Sequence, residues 1–245
     1  MATQLHIIWR TIVTLILLAA CNDVPISVPV VPTSAATEMV TPSVFPLALN
    51  NTWVYQSTRY EAVPITEMIT ATSTITETVV DIETSASYFA AKIRRDVSAE
   101  TPVVVPKSRQ GESLRPAESS EYWLVVMGNQ LYHQAENLGH PNLDNRNSRE
   151  LVFPLKPGDQ WYLYEAKDPH SPGGVSGIIR QVLQVGTRQV PAGHFDNCLL
   201  LKDDWVDSNV EKWFCPEVGW VDLKSDHQGT PYGSHAVLVR YQLNK

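Results

Sequence analysis

This sequence predicts an all-β protein made of antiparallel sheets. Three observations carry the prediction. Beyond residue 42 no stretch repeats its apolar residues at helical spacing. Runs of β-branched and aromatic residues are instead punctuated by Gly, Pro, Asn and Asp, as strands are by turns. The stretch from Pro64 to Glu83 alternates: Ile65, Ile69, Ala71, Ile75 and Val79 share one side, and Thr66, Thr70, Thr72, Thr74, Thr76 and Thr78 the other. Glu67, Ser73 and Glu77 interrupt the apolar side, and Met68 interrupts the threonine side. With 245 residues, 43% of them hydrophobic, there is apolar material for one sizeable core or two smaller ones.

The chain opens with a different composition. Arg10 is the only charged residue before Cys21, and Thr11 to Ala20 are rich in Ile, Val and Leu. That run is shorter than the roughly 20 apolar residues a bilayer span needs, and suits the apolar core of an export signal. Leu18-Ala19-Ala20-Cys21 resembles the bacterial lipobox. The resemblance implies that residues 1–20 are a cleaved lipoprotein signal peptide. It further implies that Cys21, acylated with diacylglycerol, anchors the protein extracytoplasmically in the bacterial cell envelope. An ordinary cleaved signal and a short buried helix are the alternatives. Losing Arg10 takes the formal net charge from -7 to -8. Anionic headgroups repel such a surface, so membrane contact is expected through the lipid rather than through the folded part. Residues 21–42 carry Pro25, Pro29, Pro32 and Pro42 among Val, Ser and Thr. Proline opposes helix interiors and ladder hydrogen bonds, so this segment reads as an extended tether, with a strand packed on the domain as the alternative.

The strands follow in order. Trp53-Val54-Tyr55 opens the first and Pro64 to Glu83 is the second. Tyr88 to Val97, Tyr122 to Met127, Gln130 to Gln134, Trp161 to Ala166 and Ile178 to Val190 come next. Cys198 to Val206, Val210 to Cys215, Trp220 to Lys224 and Ala236 to Leu243 complete the set. Met127-Gly128-Asn129-Gln130 fits a tight hairpin because Gly and Asn tolerate positive φ. Val190-Pro191-Ala192-Gly193 has the Pro and Gly placement of a type I turn. Glu100 to Ser120 and Ala135 to Arg149 read as loops, as does Ser171-Pro172-Gly173-Gly174.

A repeat divides this body. Phe45-Pro46-Leu47 recurs as Phe153-Pro154-Leu155, and Trp53, eight positions after Phe45, recurs as Trp161. The reading is a duplicated unit, residues 43–150 and 151–245, forming one curved sheet or open barrel, or two abutting sandwiches. The absence of a Gly/Ser linker between the halves tilts it toward one sheet or two tightly abutting ones. Gly158 completes the second copy, whereas the first has Asn50 there. Pro191-Ala192-Gly193-His194-Phe195-Asp196-Asn197-Cys198 and Cys215-Pro216-Glu217-Val218-Gly219-Trp220-Val221 extend the pattern. Together these elements, FPL..G..W, PAG.F..C and P.VG.V, resemble a class of exported bacterial lipoproteins of undefined role. The resemblance implies an antiparallel β fold at the envelope and brings no catalytic residues.

Chemistry is sparse. Cys198 and Cys215 flank a candidate hairpin, so they are expected nearly opposite one another and within bridging distance; two buried free thiols are the alternative. The seven His, at 6, 133, 140, 170, 194, 227 and 235, never pair at i, i+2 or i, i+4, and there is no Cys-x-x-Cys. No metal site and no cofactor are therefore expected. Asp203, Asp204, Asp207 and Glu211 read as a solvated hairpin tip, with Ca²⁺ the minor alternative. No nucleophile elbow, phosphate-binding Gly loop or dinucleotide fingerprint is present. The acidic balance, 19 Lys+Arg against 26 Asp+Glu, argues against nucleic acid as a partner. Trp53, Trp123, Trp161, Trp205, Trp213 and Trp220 are expected to fill the core, the alternative being a concave ligand surface. The sequence thus reads as a lipid-anchored, non-enzymatic envelope module, its partner a protein or an apolar ligand. A purely structural envelope protein is the alternative, and an extracytoplasmic hydrolase is the weaker one.

Overall fold

The computed structural model describes residues 44–62, 67–105, 114–134, 140–142, 148–167 and 175–244. The expected signal peptide and tether, Ile65, Thr66 and the 171–174 loop lie outside the described residues. The first six strands are β1 (Thr52–Ala62), β2 (Met68–Thr84), β3 (Phe89–Val97), β4 (Thr101–Val104), β5 (Glu118–Met127) and β6 (Gln130–Gln134). Then come β7 (Arg149–Val152), β8 (Gln160–Lys167), β9 (Val175–Val190), β10 (Gly193–Asp204), β11 (Ser208–Cys215), β12 (Gly219–His227) and β13 (Tyr232–Gln242). No helix occurs among the described residues.

The strands form one antiparallel sheet in the order β7-β6-β5-β3-β2-β1-β13-β12-β11-β10-β9-β8, with β4 a short branch on β2. Each half is a meander, which local hairpins favour because neighbours in sequence pair with little loop-closure cost. The halves join where β1 pairs with β13, from Thr52 opposite Gln242 to Glu61 opposite Tyr232. That continuous ladder leaves no sheet edge between the halves, so the sheet is a single curved one rather than two sandwiches. The free edges, β7 and β8, are bridged by side chains: Trp161 Nε1 donates to the Arg149 carbonyl at 2.8 Å, and Arg180 Nη1 to the Glu150 carbonyl at 2.8 Å. The result is a nearly closed 12-strand barrel. Closure of this kind shields the unpaired edges that would otherwise recruit other strands.

Period-two alternation decides what lies inside. From β2, Ile69, Ala71, Ile75 and Val79 are buried while Met68 is exposed. Ile75 and Val79 join Trp53, Ile93, Leu124, Leu131, Leu151, Leu201, Phe214, Val221 and Leu238 in one core. A smaller cluster of Ala90, Trp123, Val125 and Tyr132 occupies the opposite face of β3, β5 and β6. Gln134, fully buried there, exchanges hydrogen bonds with the Asn142 backbone at 2.6 and 2.7 Å. Cys198 and Cys215 are disulfide-bonded, their Cα atoms 4.2 Å apart across the β10–β11 hairpin.

The two Phe-Pro-Leu turns are held alike. Asn50 N–H donates to Val79 O at 2.9 Å, and Gly158 N–H to Val182 O at 2.8 Å. Val79 N–H returns to Asn51 O and Val182 N–H to Asp159 O, both at 2.9 Å. Asn50 and Gly158 sit at φ 66 and 91, which explains Asn at the Gly position: it is among the residues that tolerate left-handed backbone.

Four details differ from the sequence expectation. β4 lies inside the expected 100–120 loop; its exposed side chains gave no alternation to read. β7 was not expected, being four residues long at the end of an Asn-rich stretch. β10 begins at Gly193 rather than Cys198, because a bulge at Asn197 (φ 56) lets the ladder continue through an irregular step. In the β5–β6 turn only Gly128 takes positive φ; Asn129 instead donates its side chain to Phe153 O at 2.6 Å.

Candidate functional site

The barrel interior is not fully packed. A cavity of about 490 Å³ lies between the two halves of the sheet. Phe45 and Trp53 form part of its floor, together with Trp220 from β12. Phe45 reaches this place because the first Phe-Pro-Leu turn folds under the barrel, where its ring lies 6.0 Å from Trp53 and 5.7 Å from Phe214. Trp53 Nε1 donates to Val218 O at 2.6 Å, and Tyr55 hydroxyl to Trp220 O at 3.1 Å, so both aromatics present ring faces with their polar ends satisfied. Ile75, Ile93, Leu124, Leu223 and Ala236 supply aliphatic wall. Ser57, Ser225, Ser234 and Lys224 line the far end, where Lys224 and Tyr164 are exposed. A side pocket of about 340 Å³ shares Glu150, Tyr164, Val210, Lys212 and Ser225 and adds Trp205, whose ring meets Tyr164 edge-on.

Charged groups stand in this apolar wall. Glu77 from β2 is opposite Arg95 from β3 and accepts from its Nη1 at 2.8 Å. Glu77 was the interruption in the β2 alternation, and it interrupts because it faces the cavity. Tyr55 and Tyr122 are held well above the usual phenol range, first by burial and then by the nearby Glu77 charge, so both stay protonated. The His133 ring lies tilted against Tyr122, with ring centres 4.5 Å apart. Burial lowers its pKa, which favours the neutral ring.

The second charged group is centred on Arg180, fully buried in β9. Its Nε and Nη2 fork the Asp203 carboxylate at 2.5 and 2.8 Å, and its Nη1 reaches Glu150 Oε2 at 2.7 Å. Burial alone pushes the Glu150 carboxyl up. The Arg180 and Lys212 charges, and the Arg180 hydrogen bond, outweigh it and hold the group well below the usual carboxylate range. Lys212 from β11 faces the same carboxylate at 3.6 Å and lies 5.3 Å over the Trp220 ring. Burial pulls its ammonium below the ordinary lysine value, and Glu150 offsets only part of that.

Asp203, Asp204, Asp207 and Glu211 are not one cluster. Alternation turns Asp203 inward onto Arg180 and leaves Asp204 exposed. Among the described residues no group of three or more His, Cys, Asp or Glu could hold a metal ion. His227 stands between Thr230 Oγ1 at 2.9 Å and Asp207 at 3.6 Å, an acid–base order, but in an exposed turn outside the barrel cavity. His235 and Arg188 both engage Asp222, the former at 2.8 Å. The tryptophans divide. Trp53 and Trp220 line the cavity, Trp123 and Trp161 are buried, and Trp205 is exposed near the side pocket. Trp213 lies against Gly186 with Arg188 5.3 Å over its ring. Sequence reasoning missed Glu77, Arg95, Glu150, Arg180, Asp203 and Lys212 as a group. The available signal was a charged residue at an inward position of an apolar strand, as Arg180 is between Ile178 and Val182.

No family model and no curated protein matches the chain. Similar solved structures include a candidate exported protein of Bacteroides fragilis with a YmcC-like fold, 13% identical at a TM-score of 0.45. The overlap covers 81% of this chain and 98% of that one. A candidate lipoprotein of Parabacteroides distasonis overlaps over the same shares at 14% identity and TM-score 0.42. A β-barrel-like protein of Brucella abortus, a domain of unknown function, does so at 10% and 0.31, covering 81% of this chain and all of that one. None reaches a TM-score of 0.5, so none lends this chain a residue role.

Proposed function

We propose that this protein is a lipid-anchored, non-enzymatic module of the bacterial cell envelope that binds a small, largely apolar ligand inside its barrel. One observation carries the reading: the cavity of about 490 Å³. It falls within the roughly 300–1,000 Å³ of ligand pockets, and it combines apolar walls with a few convergent polar groups as they do. Leaving such a space open costs packing energy that a well-filled core would recover, so its persistence favours an occupant. The setting is supported by the lipobox at Leu18-Ala19-Ala20-Cys21 and by the Cys198–Cys215 bridge, which fits an oxidising compartment. On this reading the acyl chains on Cys21 hold the membrane, and residues 21–42 tether two related halves, residues 43–150 and 151–245.

Native mass spectrometry after detergent-free purification tests the proposal. An adduct that organic extraction removes, and that Ala236→Trp (a substitution into the cavity wall) prevents from forming, is the expected result. A folded protein without adduct, insensitive to Ala236→Trp in binding any apolar probe, refutes it and favours the purely structural alternative.

A further inference from the structure

We infer that the occupant of this cavity is a monoanionic amphiphile, entering apolar end first and setting its negative head against Lys212. The inference rests on the ligand-binding reading above and adds the ligand's charge. It follows from which hydrogen-bonding groups are already used. Glu77 accepts from Arg95 at 2.8 Å, and Glu150 from Arg180 at 2.7 Å. Asp203 accepts both arms of the Arg180 fork. Each interior carboxylate is therefore already engaged by a guanidinium.

The donors are not. Lys212 has three N–H donors, and its nearest carboxylate oxygen is 3.6 Å away, outside hydrogen-bond distance. Arg95 gives one of its five N–H groups to Glu77. The neutral His133 ring has a nitrogen to donate and makes only a ring contact with Tyr122 among the described residues. Spare donors favour an anion, because a negative head accepts stronger, charge-assisted hydrogen bonds than a neutral one and a cationic ammonium head accepts none. The wall charges are otherwise matched: Glu77, Glu150 and Asp203 balance Arg95, Arg180 and Lys212, and Lys224 at the mouth pairs with Asp226 at 2.6 Å. Among the described residues Lys212 is the one wall cation whose nearest carboxylate oxygen lies beyond hydrogen-bond distance, which suits a single negative head. The depressed basicity of Lys212 is a further sign that Glu150 alone does not compensate its burial.

Lys212 also marks the depth at which the head would rest. It stands over Trp220, between the aromatic floor and the serine-lined mouth, and the charged groups nearer the floor, Glu77 and Arg95, are already paired with each other. A head at Lys212 leaves an apolar body among Trp53, Tyr55, Leu124 and Ile93.

The test uses the chain from residue 21 onward with Cys21→Ala, so that no lipid anchor competes, and three probes sharing one tail. These are dodecanoate, dodecanol and dodecyltrimethylammonium, titrated by calorimetry and by tryptophan fluorescence. Dodecanoate should bind at least about tenfold tighter than either other probe, the size of one charge-assisted hydrogen bond. Lys212→Met should remove most of that advantage and Lys212→Arg should retain it. Equal binding of dodecanol and dodecanoate overturns the anion inference while leaving the ligand-binding reading intact, and so does tightest binding of the cation. Binding of none of the three overturns both. Should Lys212→Met fail to fold, the ranking of the three probes on the otherwise native chain decides the matter alone.

Discussion

Replacing Arg180 by Leu is the sharpest test of how this barrel tolerates charge in its interior. The guanidinium is fully buried and makes four hydrogen bonds: two to Asp203, one to the Glu150 carboxylate and one to the Glu150 carbonyl across the β7–β8 seam. Leucine removes all four and leaves Asp203, 3% exposed, and Glu150 with only Lys212 for compensation. Breaking a buried ion pair from one side costs about 3–5 kcal/mol, mostly from the uncompensated partner. The pH dependence carries a definite sign. In the variant, burial acts on Glu150 without the Arg180 charge and hydrogen bond that outweighed it and raises its carboxyl above its unfolded value of about 4, so folding binds a proton and stability falls as pH rises through that window. In the native protein Glu150 is depressed, which has the opposite sign. The destabilisation should therefore be largest near neutrality and shrink by about 1–2 kcal/mol toward pH 5. Urea denaturation followed by tryptophan fluorescence at both pH values measures this. A loss under about 1 kcal/mol, or a loss that does not change with pH, would refute the reasoning. Arg180→Met combined with Asp203→Leu should recover part of the loss, because it removes charge and countercharge together.

Three other outcomes are expected. Arg59 forks Glu100 at 2.7 and 2.8 Å and lowers its pKa to about 2. This ion pair contributes stability above the unfolded carboxylate value that disappears as pH falls toward 2. The urea midpoint gap between native protein and Glu100→Gln should correspond to about 1–2 kcal/mol at neutral pH after allowance for solvent screening, and close in acid. Reducing the Cys198–Cys215 bridge, or replacing both by Ala, should cost about 3 kcal/mol for its 17-residue separation; calorimetric melting with and without reductant checks it. Cys21→Ala should move the protein from the membrane pellet to the soluble fraction, and an unchanged distribution on fractionation would remove the lipid anchor from the account.

Several elements were legible because their information is local. The β2 alternation, the Gln130–Gln134 strand and the Pro191-Ala192 turn each depend on residues adjacent in sequence, so composition and spacing suffice to place them. β4 and β7 escaped because four-residue strands carry too few alternations to distinguish from loop. The charged interior escaped for another reason. Glu77 registered only as a flaw in a pattern, and nothing local indicated that Arg95 would be its cross-strand partner or that Arg180 would reach both Asp203 and Glu150.

Strand existence, inward and outward faces, and most hairpins thus belonged to the linear sequence, since a two-residue period and turn chemistry act over a few residues. Closure belonged to tertiary structure. The β1–β13 ladder joins residues at opposite ends of the body, and the β7–β8 seam is bridged by side chains rather than by a backbone ladder. Whether a meander stays open or curls around a cavity depends on accumulated twist and on bulges such as those at Val54/Tyr55 and Tyr162/Tyr164. Only that curvature brings Lys212, Glu150 and Trp220 to one place, because no local pattern records where distant strands come to face one another.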